Sequence, residues 1–485
     1  MKGKLIIHVL TILLLVVAAF MLIPLGIALY YGETDSFKAF LYPILALLPL
    51  AAVSYGTTRS NRTKILTPRD GFMLVTLSWV AASALGALPF YISGTIPSYT
   101  DAYFETMSGF TTTGASILKT IENLPYSMLF WRSLTHWLGG MGIVVLTVAI
   151  FPLLGIGGMQ LLKAEAPGPS VDKITPKITH TAKILWFIYL GLTIVETILL
   201  MLGGMNLFDS LTHAFGTMAT GGFSPKNTSV GNYNSPFIHW VITIFMVMAG
   251  LNFALYFKLL TGRIKDLLLD TEMKAYLAIF AAASLAITVS LLKHDVFDSF
   301  WTSLQYAAFQ VASILTTTGY ATTNYDLWPE FSKVILFLMM FIGGCAGSTG
   351  GGMKVVRIVT LFKLSLRELK RLVHPRGVFH LRLNKMVVRK DIISVITGFV
   401  FLYIFSLLVT TVVVATGGYD VLTSFSTALA TVGNIGPGFN MVGPTMNYSF
   451  FQGGIKWFLS LAMMMGRLEI YTVLVVFTPW FWKKQ

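Results

Sequence analysis

Charge is scarce in this chain. Only 12% of its 485 residues are Asp, Glu, Lys or Arg, against about a quarter in an ordinary soluble protein. It has one cysteine, Cys345, which excludes an internal disulfide and any zinc cluster built on cysteine pairs. The eight histidines are scattered. No His-Glu-x-x-His pair occurs, so a catalytic metal has no support. Gly-Lys-Ser/Thr is absent and Ser348 does not sit in Gly-x-Ser-x-Gly, which removes the signatures of a phosphate loop and of a hydrolase elbow. With no acid–base, nucleophile or metal constellation, an enzyme is not expected.

What is abundant is apolar sequence, 55% of the chain. The runs are too long for soluble strands and suit membrane spans. After Met-Lys-Gly-Lys the chain is apolar from Leu5 to Tyr31. That is too long for a signal-peptide core and reads as a retained first span. A second follows over 39–56. A unit then repeats four times: outer span, short segment, polar tract, inner span. The spacing predicts 70–93, 100–111 and 127–160; 180–204, 208–219 and 236–260; 272–292, 297–315 and 332–360; 389–416, 420–430 and 450–482. The corresponding domains are a two-helix region 1–68 and repeats 69–178, 179–268, 269–387 and 388–485. A short helix of about a dozen residues reaches ~18 Å, too little for a ~30 Å hydrocarbon core. Each must dip in and return, which is tolerated only where protein buries the backbone or water lines it. Each opens near Asp101, Asp209, Asp298 or Asp420, where a carboxylate suits the positive helix end.

Charge location orients the chain. With the N-terminus inside and ten full crossings, most of the 35 basic residues fall on the inner face, among them the long stretch Lys354–Lys390. This agrees with the positive-inside rule. The net charge of +14 thus speaks for inner-face loops near anionic lipid rather than for nucleic acid. The polar tracts then lie toward the outer face. Asp101, Glu105, Glu122, Asp209, Asp295, Asp298, Asp326, Glu330 and Asp420 share that side, an acidic vestibule that would concentrate cations.

The tracts read Thr111-Thr112-Thr113-Gly114-Ala115, Ala219-Thr220-Gly221-Gly222-Phe223, Thr316-Thr317-Thr318-Gly319-Tyr320 and Ala430-Thr431-Val432-Gly433-Asn434. Aligned on Gly114, Gly222, Gly319 and Gly433 they share Thr-x-Gly. Glycine permits backbone angles that other residues resist. The preceding carbonyls of Thr112, Thr113, Thr220, Gly221, Thr317, Thr318, Thr431 and Val432 can then turn to an axis and replace an ion's water shell. The helix C-terminal dipoles add negative potential there. The alternative is four ordinary interhelical turns. A second feature is Gly343-Gly344-Cys345-Ala346-Gly347-Ser348-Thr349-Gly350-Gly351-Gly352, directly after apolar Val334–Ile342. Each interior glycine costs a helix about 1 kcal/mol relative to alanine, so the third inner span is expected to break; close glycine packing of two helices is the alternative. Arg467 lies within the last span, where an ionisable residue is a functional candidate; an ion pair with Glu469 or Glu196 is the competing role. Asn252 either faces the same cavity or bonds a neighbouring helix.

The four-fold units, Thr-Thr-Thr-Gly-Ala-Ser, Thr-Thr-Thr-Gly-Tyr and Gly343–Met353 resemble the Trk/Ktr/HKT superfamily of potassium transporters across essentially the whole chain. The two extra N-terminal helices make it most similar to the bacterial TrkH branch. The resemblance implies an all-α integral membrane fold around one central pore, and uptake of K⁺ across the bacterial inner membrane, with both termini cytoplasmic. It implies a K⁺ filter at the Thr-x-Gly residues, glycine at all four key positions being the pattern associated with K⁺. It makes 343–352 an intramembrane gating loop with Arg467 beside it under the filter. It also implies a homodimer and a cytosolic nucleotide-binding partner of TrkA type. Only the fourth tract keeps Thr-Val-Gly, so a shorter filter than the tetrameric potassium one is expected. An ion-coupled secondary K⁺ symporter is the alternative, although all four units share one span order and many such transporters use inverted repeats.

Overall fold

The computed structural model describes residues 3–58, 67–142, 178–384 and 386–483. The second half of the first inner span, 143–160, and the basic residues Lys2, Arg59, Arg62, Lys64, Lys163, Lys173, Lys177, Lys385 and Lys484 lie outside them. The fold is helical. Its described β-structure is one small hairpin, in which Arg382–Leu383 pairs antiparallel with Met386–Val387.

Six described helices are long and apolar enough to cross a membrane: Gly3–Tyr31, Thr34–Ser54, Pro68–Ile92, Thr181–Leu202, Thr271–Lys293 and Lys390–Ala415. The first two pack on each other and on the first repeat. Glu33, in the turn between them, accepts from the amide of Tyr126 at 2.6 Å, covering free N–H groups at the start of the first inner helix. The other four long helices are the outer helices of the four units.

The sequence predicts a break in the third inner span alone, but the helices of all four inner spans end part-way. They run Tyr126–Gly140, Pro236–Ala249, Glu330–Met339 and Gly453–Arg467. The second turns by 96° before resuming as Phe253–Leu260. Glycines at three of these ends explain the breaks. A methyl at Gly139 would overlap the carbonyl of Phe110; at Gly250 it would crowd Thr316, and at Gly466 the carbonyl of Val432. Each of these inner helices thus closes on the C-terminal end of a short helix.

The short helices are Tyr99–Phe110, Leu207–Met218, Phe300–Leu315 and Val421–Val432. Their C-terminal halves are buried throughout, so protein shields the deep part of each half-membrane segment, as re-entrant backbone requires. Their caps are Ser98, Asn206, Ser299 and Asp420. Asp101 and Asp209 sit one turn in and Asp298 precedes its cap, so only Asp420 caps directly among the four acids expected there.

Packing runs around a circuit. The first inner helix meets the second short helix, the second inner helix meets the third short helix, and the fourth inner helix returns to the first short helix. Phe337 of the third inner helix closes the circuit against Phe425 of the fourth short helix, ring centroids 5.9 Å apart. The four tracts therefore come to one place because each unit's core is completed by the next.

Candidate functional site

Every tract follows the same backbone path. Two residues past the end of each short helix the chain turns left-handed, at Thr112 (φ 52°), Thr220 (55°), Thr317 (60°) and Asn434 (55°). Two residues on it does so again, at Gly114 (81°), Gly222 (79°), Gly319 (82°) and Gly436 (93°). The amide between them folds back onto the short helix: Thr113 to Ser108 at 2.9 Å, Gly221 to Gly216, Thr318 to Ser313 and Ile435 to Ala430, each at 2.8 Å.

This sets the register of the fourth tract, and it differs from the sequence alignment. Thr431 and Val432 are the last turn of the fourth short helix, and Gly433 is its cap with φ −78°. The residues in the shared conformation are Asn434, Ile435 and Gly436. Asparagine in place of threonine hid the match. The signal was in the caps: Ser98 to Gly114, Asn206 to Gly222 and Asp420 to Gly436 are equal spacings.

The tracts close into a ring of backbone. A side chain at Gly114 would overlap the carbonyl oxygen of Gly221. One at Gly222 would meet that of Thr318, one at Gly319 that of Ile435, and one at Gly436 that of Thr113. Each tract thus abuts the next, and the fourth returns to the first. Left-handed angles and absent Cβ atoms make both the turn and the approach possible. Thr111 and Thr113 share a hydroxyl hydrogen bond of 2.8 Å, as do Thr316 and Thr318 at 2.6 Å. Asn434 donates to the Thr113 hydroxyl at 2.9 Å and to the Met463 carbonyl at 2.8 Å. The buried hydroxyl of Thr112 has no hydrogen-bond partner among the described residues, a polar atom suited to an ion or its water.

A brace stands behind each tract. Glu105 accepts from Ser116 and from the amide of Ile117, both at 2.9 Å, and pairs with Arg132 at 2.7 Å. Arg132 donates onward to the carbonyl of Ser224 and lies 3.6 Å from the Phe223 ring centroid. His213 bonds Ser224 at 3.0 Å, Gln310 donates to Thr322 at 3.2 Å, and Ser426 bonds the backbone of Phe439. Tyr448 donates to the carbonyl of Gly436 at 2.6 Å. Apart from Glu105, assigned to the vestibule, these residues have no sequence signal, since nothing in the sequence pairs a helix residue with the loop that follows.

The acidic vestibule is largely bonded instead. Glu105 is buried in its ion pair. Asp101 holds Lys456 at 2.6 Å, and Asp209 accepts from Tyr233 at 2.7 Å. Asp326 accepts from the amide of Asn440, and burial raises its pKa. Hydrogen bonds from the Thr423 hydroxyl and amide hold Asp420 below the usual carboxylate range.

The glycine run does not form helix. Gly343, Gly344, Ala346, Gly347, Ser348, Thr349, Gly350, Gly351 and Gly352 all lie in a loop between Met339 and the amphipathic helix Val355–Val373. The loop is tied to the break in the second inner span: the Cys345 amide donates to the Gly250 carbonyl at 2.8 Å and the Phe253 amide to the Gly347 carbonyl at 3.0 Å. It also touches the tracts, the Gly351 amide donating to the Thr317 hydroxyl at 2.7 Å. Arg467 reaches both neighbours. It donates to the Thr349 carbonyl at 2.5 Å and to the carbonyls of Gly139 and Gly140 at 2.6 and 2.7 Å. Glu469, its suggested counter-ion, pairs with Arg357, and Glu196 is wholly buried on the second outer helix. Asn252 caps Phe253–Leu260 through the Ala254 amide at 2.9 Å, and its carboxamide lies against Gly347 of the loop.

A family model described as a cation transport protein, TrkH, matches residues 38–484. The Trk system potassium uptake protein TrkH of Salmonella typhimurium is 40% identical over 487 residues, covering 100% of both chains. TrkG of Escherichia coli is 35% identical, over 96% of this chain and 95% of the other. The crystal structure of the potassium transporter TrkH from Vibrio parahaemolyticus superposes with a TM-score of 0.88, at 38% identity over 100% of each chain.

Proposed function

The chain belongs to the TrkH family of cation transport proteins, and from that premise we propose how it takes up potassium. It is a multi-pass membrane transporter. K⁺ is its cargo. In our reading the backbone ring Thr112–Gly114, Thr220–Gly222, Thr317–Gly319 and Asn434–Gly436 is the filter. The observation that carries this is the cyclic contact of each tract glycine with the carbonyl of the next tract. Carbonyls held at that density present hard oxygen ligands in place of water, and the short helices aim their negative ends at the same point.

Below the ring, the loop 343–352 is the gate and Arg467 a barrier at its side. A cation held ~4 Å from a guanidinium is repelled by roughly 4 kcal/mol at an effective dielectric of 20. Hydrogen bonds from Arg467 to Thr349 also hold the loop in place, so the arginine serves obstruction and charge together. We place both termini on the cytoplasmic face of the bacterial inner membrane. The chain would work as a homodimer with a TrkA-type nucleotide-binding subunit on that face.

The test is flux in liposomes. Reconstituted protein should pass K⁺ or ⁸⁶Rb⁺ down its own gradient with no proton or sodium gradient present, and should favour K⁺ over Na⁺. Uptake that stops without a coupling-ion gradient would instead make the protein a symporter.

A further inference from the structure

The loop is fastened from a direction that neither the filter nor Arg467 supplies. Glu272 stands in the first turn of the third outer helix. One of its oxygens, Oε1, accepts from the amide of Ala346 at 2.8 Å and from the amide of Val356 at 2.9 Å. Ala346 is in the middle of the glycine run. Val356 is in the first turn of the helix that leaves it. A single carboxylate oxygen therefore pins the loop to its own exit, and pins both to an outer helix that lies outside the ring. The three glycines 350–352 between those points offer little resistance of their own.

We propose that Glu272 is a positioning residue that latches the gating loop in its closed arrangement. The inference rests on the reading of 343–352 as a gate and adds what holds it shut. Two amides bonded to one acceptor oxygen must both be given up before the loop can move away from its exit. The end of the third outer helix is itself tied down. Asn384, in the turn of the hairpin, accepts from the Thr271 amide at 2.7 Å and donates to Asp270 at 2.9 Å. Lys363, on the amphipathic helix, donates to the Arg382 carbonyl at 3.0 Å. The hairpin, the outer-helix end and the loop thus form one chain of contacts, with Glu272 as its last link. A displacement of the hairpin would reach the loop through it.

The protein carries its own reporter. Cys345 is the chain's single cysteine, stands next to Ala346, and is 1% exposed. Release of the latch should bare its thiol. The experiment measures the labelling rate of Cys345 by a maleimide and ⁸⁶Rb⁺ efflux from liposomes, for wild type, Glu272→Gln, Glu272→Asp and Glu272→Ala. Elution as a monodisperse peak is required of each. Gln keeps an acceptor oxygen at the same reach and should stay within a few-fold of wild type. Asp is one methylene short, and Ala has no acceptor. Both should label about tenfold faster or more, since about 1.4 kcal/mol is tenfold, and both should leak Rb⁺. Asp retains the charge and the helix start, so it decides the matter if Ala does not fold. Unchanged labelling in Asp and Ala overturns the latch. Faster labelling with unchanged efflux keeps the latch and overturns the gate.

Discussion

At the residue scale, the sharpest consequence concerns Gly436. It has φ 93° and faces the carbonyl of Thr113. A Cβ in left-handed backbone costs about 1–2 kcal/mol before any clash. Gly436→Ala should lower the K⁺/Na⁺ uptake ratio as much as Gly114→Ala does. Thr431→Val should leave it unchanged, since the Thr431 hydroxyl only bonds carbonyls of its own helix at Thr427 and Ala428. Equal losses in Thr431→Val and Gly436→Ala would restore the register centred on Gly433. Asp420 yields a second outcome. Its carboxyl is held below the usual range by hydrogen bonds to Thr423. Such a group stabilises the fold above its unfolded value of about 3.9, and the contribution fades as pH falls through the depressed folded value. Asp420→Asn still caps the helix but does not titrate. Its melting temperature should therefore fall less steeply than that of wild type as the pH is lowered through the carboxylate range, as thermal unfolding in detergent would record.

At the element scale, the interrupted inner helices matter most. An unbroken helix would fill the space under the ring with side chains. The breaks leave loop backbone there, and loop backbone can be rearranged without unpacking a helix. Deleting Ala346–Gly350, or replacing Arg467 by Ala, should raise passive K⁺ flux per reconstituted protein while leaving the K⁺/Na⁺ ratio as it was. Equal or lower flux in both, with monodisperse protein, would remove the loop from the gating role. The ratio is expected to hold because neither change removes a residue of the ring; the deletion is the harsher test, since it ends beside Gly351, whose amide bonds Thr317.

At the scale of the whole molecule, closure of the circuit depends on links between units. Arg132, held by the buried Glu105, is one of them, reaching from the first unit to the carbonyl of Ser224 in the second. Removing one partner of a buried pair costs about 3–5 kcal/mol, so Glu105→Ala should lower the melting temperature markedly and selectivity with it. Glu105→Gln keeps an acceptor for Ser116 and for the Ile117 amide and should lose less. This molecule-wide arrangement was the hardest part to read in advance. The outer helices and short helices announce themselves, one by length and hydropathy, the other by being too short to cross. The loop was legible because six glycines within ten residues cannot stay helical in a span. The fourth tract was misread because side-chain identity was followed where backbone angle was conserved between units. Glu105 looked like a surface acid because its partner Arg132 lies on another helix, and only packing brings the two together.

The ring of four tracts has unlike members: threonines in three, an asparagine in the fourth, and braces of glutamate, histidine, glutamine and serine. They are written once each, in one chain. In a pore assembled from four copies of a subunit, any substitution arrives on all sides together, and a change that distorts one wall distorts every wall. Here a single codon alters a quarter of the circumference. On the proposed reading of the ring as the filter, selectivity can therefore drift by small steps, each wall tuned against three that stay fixed. The price is that the symmetry must be held by packing, since no gene duplicate enforces it.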